Sequence, residues 1–227
     1  MQELSSMLYL SSYRLGDHVE KLLSALPATP RVFIVANALD VFPEASRLTH
    51  KVEVYDPNQE LEDHGCRVTD LDLRQYFGKQ HDLAKHLLEC DLVWVLGGNS
   101  FVLRRAMALS GFDIAATEHL ESGNIAYGGF SAGAVVAAPS LRGIHLMDDP
   151  DAVPPGYQSE VIWSGLNWIN FSIVPHFQSD HPESEAAGVA KDFFVNHGIQ
   201  HRTLVDGEVI FGKQGNFEVL PRIANAS

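Results

Sequence analysis

The chain has 227 residues, 45% hydrophobic and 20% charged, which suits a single α/β domain whose core needs no metal or disulfide. Asp and Glu number 29 against 16 Lys and Arg, a net charge of −13, and no basic run offers a face to nucleic acid. Cys66 and Cys90, the two cysteines, form neither a CxxC pair nor a disulfide framework. No stretch approaches the roughly 20 apolar residues of a membrane span, and the N-terminal segment carries Glu3 and too short an apolar run for a signal peptide. A cytoplasmic location is expected.

In chain order, SMLYLSS (6–12) reads as a short strand and GDHVEKLLSAL (16–26) as a helix. RVFIVAN (31–37) is a compact β-branched strand, and residues 43–65 have helical spacing in one or two pieces. RVTDLDL (67–73) alternates like a strand, HDLAKHLLEC (81–90) is an amphipathic helix, and DLVWVLGG (91–98) is a buried strand. Two helices, 101–111 and 113–123, lead into the strand NIAYGGF (124–130). Strands alternating with helices, with continuous apolar strands, predict a mainly parallel sheet covered on both faces, a three-layer α/β sandwich. Ligands gather at the carboxyl ends of such strands.

The second half is less regular. Residues 145–160 are rich in Pro, Asp and Gly and read as a long loop, a length that is often functional. NFSIVPHF (170–177) is a strand ending at a histidine, and 181–198 is a helix stopped by Gly198. Residues 201–220, with turn signals DG and QGN, read as a small antiparallel meander. No linker or repeat divides the chain, so 1–227 is read as one domain.

The run NIAYGGFSAGAVVAA sets Ser131 between glycines at a strand end. Gly129-Phe130-Ser131-Ala132-Gly133 fits the G-x-S-x-G nucleophile elbow, with the strand before and helix after that the motif requires. The glycines permit a tight turn, the helix N-terminus favours negative charge, and the Ala132 N–H points where an oxyanion forms. The plain alternative is a close-packed strand-to-helix turn.

A serine nucleophile needs a base and the base an orienting acid. Of 11 histidines, His176, at the lip of an apolar strand, has the best setting. His176 and His181, with Asp180 between them, also have the residue types of metal ligands, but no third ligand at a known zinc spacing accompanies them, so no metal or other cofactor is expected. Asp206, before a glycine turn, is the candidate acid, although Asp-Gly is also an ordinary hairpin turn. Asp148 and Asp149 are its rivals. Gly97-Gly98-Asn99-Ser100 opens a helix and offers further backbone N–H groups, or simply a helix cap.

Together, VLGGNSFVL, YGGFSAGAVVA, SIVPHF and LVDGEV resemble the dipeptidase E (aspartyl dipeptidase) family of serine peptidases, over about residues 5–220. That family's fold is like the class I glutamine amidotransferases, with serine in place of the elbow cysteine. The resemblance implies Ser131 as nucleophile, His176 as general base, and Gly98 and Ala132 as oxyanion-hole donors. It makes Asp206 the third member where the family has glutamate, with Asp148 the other candidate. Asn99 and Glu185 are placed at the substrate. Glu185 stands where aspartyl dipeptidases carry an arginine that binds the substrate's aspartate, and no arginine occurs between Gln178 and His201. Exchanging a guanidinium for a carboxylate disfavours an acidic side chain, so strict Asp-X specificity is not expected.

The expected protein is a serine peptidase acting on short peptides without a cofactor, with no nucleic-acid or membrane partner and a homodimer left open. An esterase or other acyl hydrolase using the same site, and a non-catalytic binding protein, are the alternatives.

Overall fold

The computed structural model describes residues 7–213 and 215–224. Glu3 and Ser6 of the N-terminal segment, and Gln214 of the predicted QGN turn, lie outside the described residues.

Nine strands and eight α-helices are present among the described residues: β1 (Met7–Ser11), α1 (Val19–Ser24), β2 (Arg31–Val35), α2 (Glu44–Glu53), α3 (Pro57–Asp63), β3 (Arg67–Asp70), α4 (Gln80–Leu87), β4 (Leu92–Val95), α5 (Ser100–Ser110), α6 (Phe112–Glu121), β5 (Ala126–Phe130), α7 (Ala132–Val135), β6 (Ser172–Val174), α8 (Ser184–Asn196), β7 (His201–Thr203), β8 (Val209–Lys213) and β9 (Asn216–Leu220). Seven strands form one sheet in the order β3-β2-β4-β5-β1-β8-β9. The first five are parallel to one another, and β8 and β9 add an antiparallel hairpin against β1.

The period-two rule of a strand divides the core. Leu8 and Leu10 of β1 and Val93 and Val95 of β4 face one cluster with α4–α8, while Met7, Tyr9, Leu92 and Trp94 face another with Leu22 of α1 and Leu61 of α3. Both faces are therefore covered, and no described helix is long and apolar enough to cross a membrane.

The predicted antiparallel strands are present as β8 and β9, but the first segment of the predicted meander departs from them. His201–Thr203 is not the first strand of an antiparallel unit. It pairs parallel with β6 in a separate two-stranded sheet, Ser172 opposite His201 and Val174 opposite Thr203. The pairing continues past the strand ends, where Leu204 N donates to Val174 O (2.9 Å) and Phe177 N to Leu204 O (3.0 Å). Sequence alternation alone cannot choose a strand's partner or direction, and here α8 provides the crossover that parallel strands require.

Strand register brings the ends of β4, β5 and β1 level, with Val95 opposite Gly129 and Phe130 opposite Ser11. Gly133, just after the β5–α7 corner, packs so closely that a Cβ would lie 2.3 Å from Val95 O.

The 145–160 segment is irregular after a short 3₁₀ turn at Ile144–Leu146, yet it is firmly held. The buried Arg105 guanidinium donates to the carbonyls of Pro150, Ala152, Ser159 and Glu160. Tyr157 OH donates to Asp40 Oδ2, and Asn99 Nδ2 to Asp149 O (2.9 Å). Asp148 Oδ2 accepts the Ser100 N–H at the start of α5 (2.8 Å). Burial pushes this carboxyl up to about 6, aided by the Glu183 charge and opposed by Ser100 and His176.

Gly133→Ala should lower stability by about 1–3 kcal/mol, because its new methyl meets backbone that cannot swing away. Gly188→Ala, on α8 with nothing within 4 Å of the added Cβ, should instead raise it by roughly 0.4–1 kcal/mol. Urea denaturation of both variants checks the pair. The raised Asp148 carboxyl binds its proton more tightly folded than unfolded, so it costs stability as pH rises from about 4 through 6. Asp148→Asn keeps the acceptor and should gain roughly 1–2 kcal/mol over wild type at pH 8, with the gain shrinking towards pH 4 in a series of denaturation midpoints.

Candidate active site

Ser131 follows β5 and caps α7 at φ +49°, ψ −116°, outside the regions that side chains ordinarily favour. The corner is fixed on both sides. Ser131 N donates to the carbonyls of Ser11 (3.3 Å) and Ser12 (3.2 Å), and Ser131 O accepts from Ala134 and Val135 as α7 begins. Gly97 presses against it, since a Cβ there would lie 3.1 Å from Ser131 Cβ. Gly98 takes φ +133° with its α-carbon over Ala38 O, a position closed to any side chain. No hydrogen bond among the described residues uses the N–H of Gly98 or Ala132.

Asn99 is the N-cap of α5. Its Oδ1 accepts from Phe101 N and Val102 N, both at 2.9 Å, and its Nδ2 ties down the 145–160 loop. The side chain expected at the substrate is thus engaged in holding the structure.

The parallel β6–β7 pair delivers His176 two residues past one strand and Asp206 three residues past the other. His176 Nδ1 and Asp206 Oδ1 are 2.9 Å apart. Asp206 begins the link between two different sheets, so its Asp-Gly step is not the tip of a hairpin. Burial by itself would raise the Asp206 carboxyl, but hydrogen bonds from His176 and Ser12 and the charge of the imidazoles hold it below the usual carboxylate range. An ionised carboxylate only accepts, so Nδ1 carries the proton that faces Asp206, and Nε2 points to the other side of the ring.

Ser12 and Glu183 gave no signal in the sequence, and His181 stood out only as a metal-ligand type beside His176. Ser12 Oγ donates to Asp206 Oδ1 (2.7 Å) and accepts the His176 N–H (2.8 Å). His181 stacks on His176 with ring centroids 3.7 Å apart and planes 8° apart. Burial, then the His176 charge, holds the His181 imidazole below its usual range. Glu183 Oε2 lies 3.8 Å from His176 Nε2, whereas Glu185 is exposed in the first turn of α8. The carboxylate beside the imidazole is thus Glu183, two residues before the Glu185 expected at the substrate. Only distance in the folded chain distinguishes Ser12 from Ser11, or Glu183 from Glu185.

Tyr13 packs edge-on to His176, His181 and Phe130, and the Arg14 guanidinium lies over the Tyr13 and Tyr55 rings at 5.0 and 4.4 Å. No hydrogen bond joins Ser131 Oγ to His176 among the described residues. Asp148, the rival acid, faces Ser100 rather than the imidazole.

The chain is similar to known proteins. An uncharacterized peptidase of Pasteurella multocida is 28% identical over 151 residues, 66% of this chain and 69% of that protein. Peptidase E of Streptomyces coelicolor is 35% identical over 111 residues, 49% of this chain but only 42% of its own length. The crystal structure of a Listeria monocytogenes EGD-e protein assigned to peptidase E superposes with a TM-score of 0.75 at 24% identity, covering 96% of this chain and 99% of that one. A peptidase from an acI-B1 Actinobacterium gives 0.67 at 15% identity, covering 97% and 89%. The sequence profile of peptidase family S51 matches residues 19–220, and with nearly the whole chain matched, the protein belongs to peptidase family S51, a family of serine-type peptidases.

Proposed function

We propose that this peptidase hydrolyses short peptides through Ser131, His176 and Asp206. The observation that carries the reading is the Asp206–His176 hydrogen bond, which leaves Nε2 as the proton acceptor of a residue tied, like the Ser131 corner, to Ser12. Ser131 Oγ attacks the scissile carbonyl while Nε2 takes its proton, forming an imidazolium that Asp206 stabilises. The carbonyl oxygen becomes an oxyanion held by the N–H groups of Gly98 and Ala132. The imidazolium returns the proton to the departing amine, and water then releases the acyl group by the same steps in reverse. The Ser131–His176 contact is of the kind that tightens when substrate binds.

Glu183 supports the view that Asp-X specificity is not strict. Its carboxylate reaches the imidazole from the helix on which the family carries its aspartate-binding arginine, and a second carboxylate, Asp148, is near enough to feel its charge. A substrate ammonium or basic side chain is favoured there over an acidic one.

Dipeptides and short peptides with Asp, Ala or Lys first, and one simple ester, would be followed by mass spectrometry. Wild type should cleave the Ala and Lys peptides at least as fast as Asp-X, and Ser131→Ala should cleave none. Ester turnover without peptide cleavage would replace the peptidase reading with an acyl hydrolase, and Asp-X as best substrate would sink the specificity. In the same assay Asp206→Asn should lower kcat by roughly 10³–10⁴-fold, because the amide favours the wrong imidazole tautomer. An undiminished kcat would remove Asp206 from the triad.

A further inference from the structure

Sequence spacing around His176 and His181 supplied no third metal ligand, but the fold does. His176, His181 and Glu183 each offer one ligand atom, and these three atoms lie within 4.8 Å of one another. Asp180, the acid between the histidines in sequence, is not part of the group. We propose that these three residues form an inhibitory site for Zn²⁺ or a similar borderline transition ion.

The donor set is two imidazoles and one carboxylate, which zinc accepts with a fourth position left to water. It is a poor set for Mg²⁺ or Ca²⁺, which demand mostly oxygen ligands. His176 is already prepared as a ligand. Its Nδ1–H is committed to Asp206 at 2.9 Å, the carboxylate–histidine arrangement that orients metal-binding imidazoles and raises their basicity. The lone pair of Nε2 has no hydrogen-bond donor, and Glu183 Oε2 is 3.8 Å from it.

The outer ligands must move. Four-coordinate zinc with bonds of about 2.0–2.2 Å brings neighbouring ligand atoms to roughly 3.3–3.5 Å. The Glu183 side chain is 42% exposed and free to swing inwards. His181, whose Nδ1 accepts the Glu183 N–H at 3.2 Å, has to tilt off its parallel stack. Both are half-exposed, so the ion arrives from solvent through them, and the inner ligand stays in place. A lone pair bound to zinc takes no proton from serine. Inhibition therefore rests on His176 acting as the base proposed above, but metal binding does not.

The test is calorimetric titration of the full chain with ZnCl₂, on wild type and Ser131→Ala, followed by His181→Ala and Glu183→Gln. One zinc per chain should bind to the first two alike, and affinity should fall about tenfold or more when either outer ligand is lost. Co²⁺ in place of zinc should develop the visible absorption of a four-coordinate site in wild type, a readout that needs no variant to fold. Zinc should also block fluorophosphonate labelling of Ser131, and EDTA should restore it. Failure to bind stoichiometric zinc, equal affinity in both ligand variants, no visible Co²⁺ band, or equal protection by Mg²⁺ would overturn the site. If Ser131 fails to label without any metal, the triad is wrong while the titration still judges the zinc site.

Discussion

The end of β1 holds the candidate site together. Ser11 and Ser12 give their carbonyls to the Ser131 N–H, and the Ser12 hydroxyl binds both the Asp206 carboxylate and the His176 backbone. Three segments far apart in the chain meet at two consecutive residues, each completely buried. Such a junction over-determines its neighbours. Ser131, His176, Gln178 and Arg14 all adopt positive φ without being glycine, conformations that persist only where the surrounding contacts leave no alternative.

The carboxylates at the sheet edge differ through their surroundings. Asp206 receives hydrogen bonds from His176 and Ser12 and stays ionised. Asp148 is turned into the protein with a backbone N–H as its partner, and its carboxyl rises to about 6. Glu183 remains half-exposed, with one oxygen 3.8 Å from the imidazole. Environments that push similar groups apart in this way are how a site separates an orienting acid from acids with other tasks. The 145–160 loop takes part in this separation. Arg105 gathers four of its carbonyls, and that fixed path carries Asp148 to the start of α5, where it accepts the Ser100 N–H.

Much of the fold was legible because its signals are local. Continuous apolar strands, helical spacing and glycine-rich strand ends placed β1–β5 and α1–α6 nearly where they lie. The turn from β5 into α7 was visible as well, because only small residues fit where Gly133 meets Val95. The failure was equally specific. Residues 201–220 alternate as a meander should, yet β7 leaves the hairpin and joins β6. A period of two records that a strand has two faces and says nothing of the strand beside it.

By itself the sequence determined a doubly covered parallel sheet, a serine at a glycine-lined corner, and a histidine at a strand lip, since each follows from residue type and short-range spacing. Tertiary structure alone decided that Asp206 hydrogen-bonds His176, that Ser12 joins them, and that Glu183 stands beside the imidazole. Those contacts span up to 194 residues of chain, and hydrogen-bond distances at that separation are set by the packing of whole elements, which no local pattern encodes.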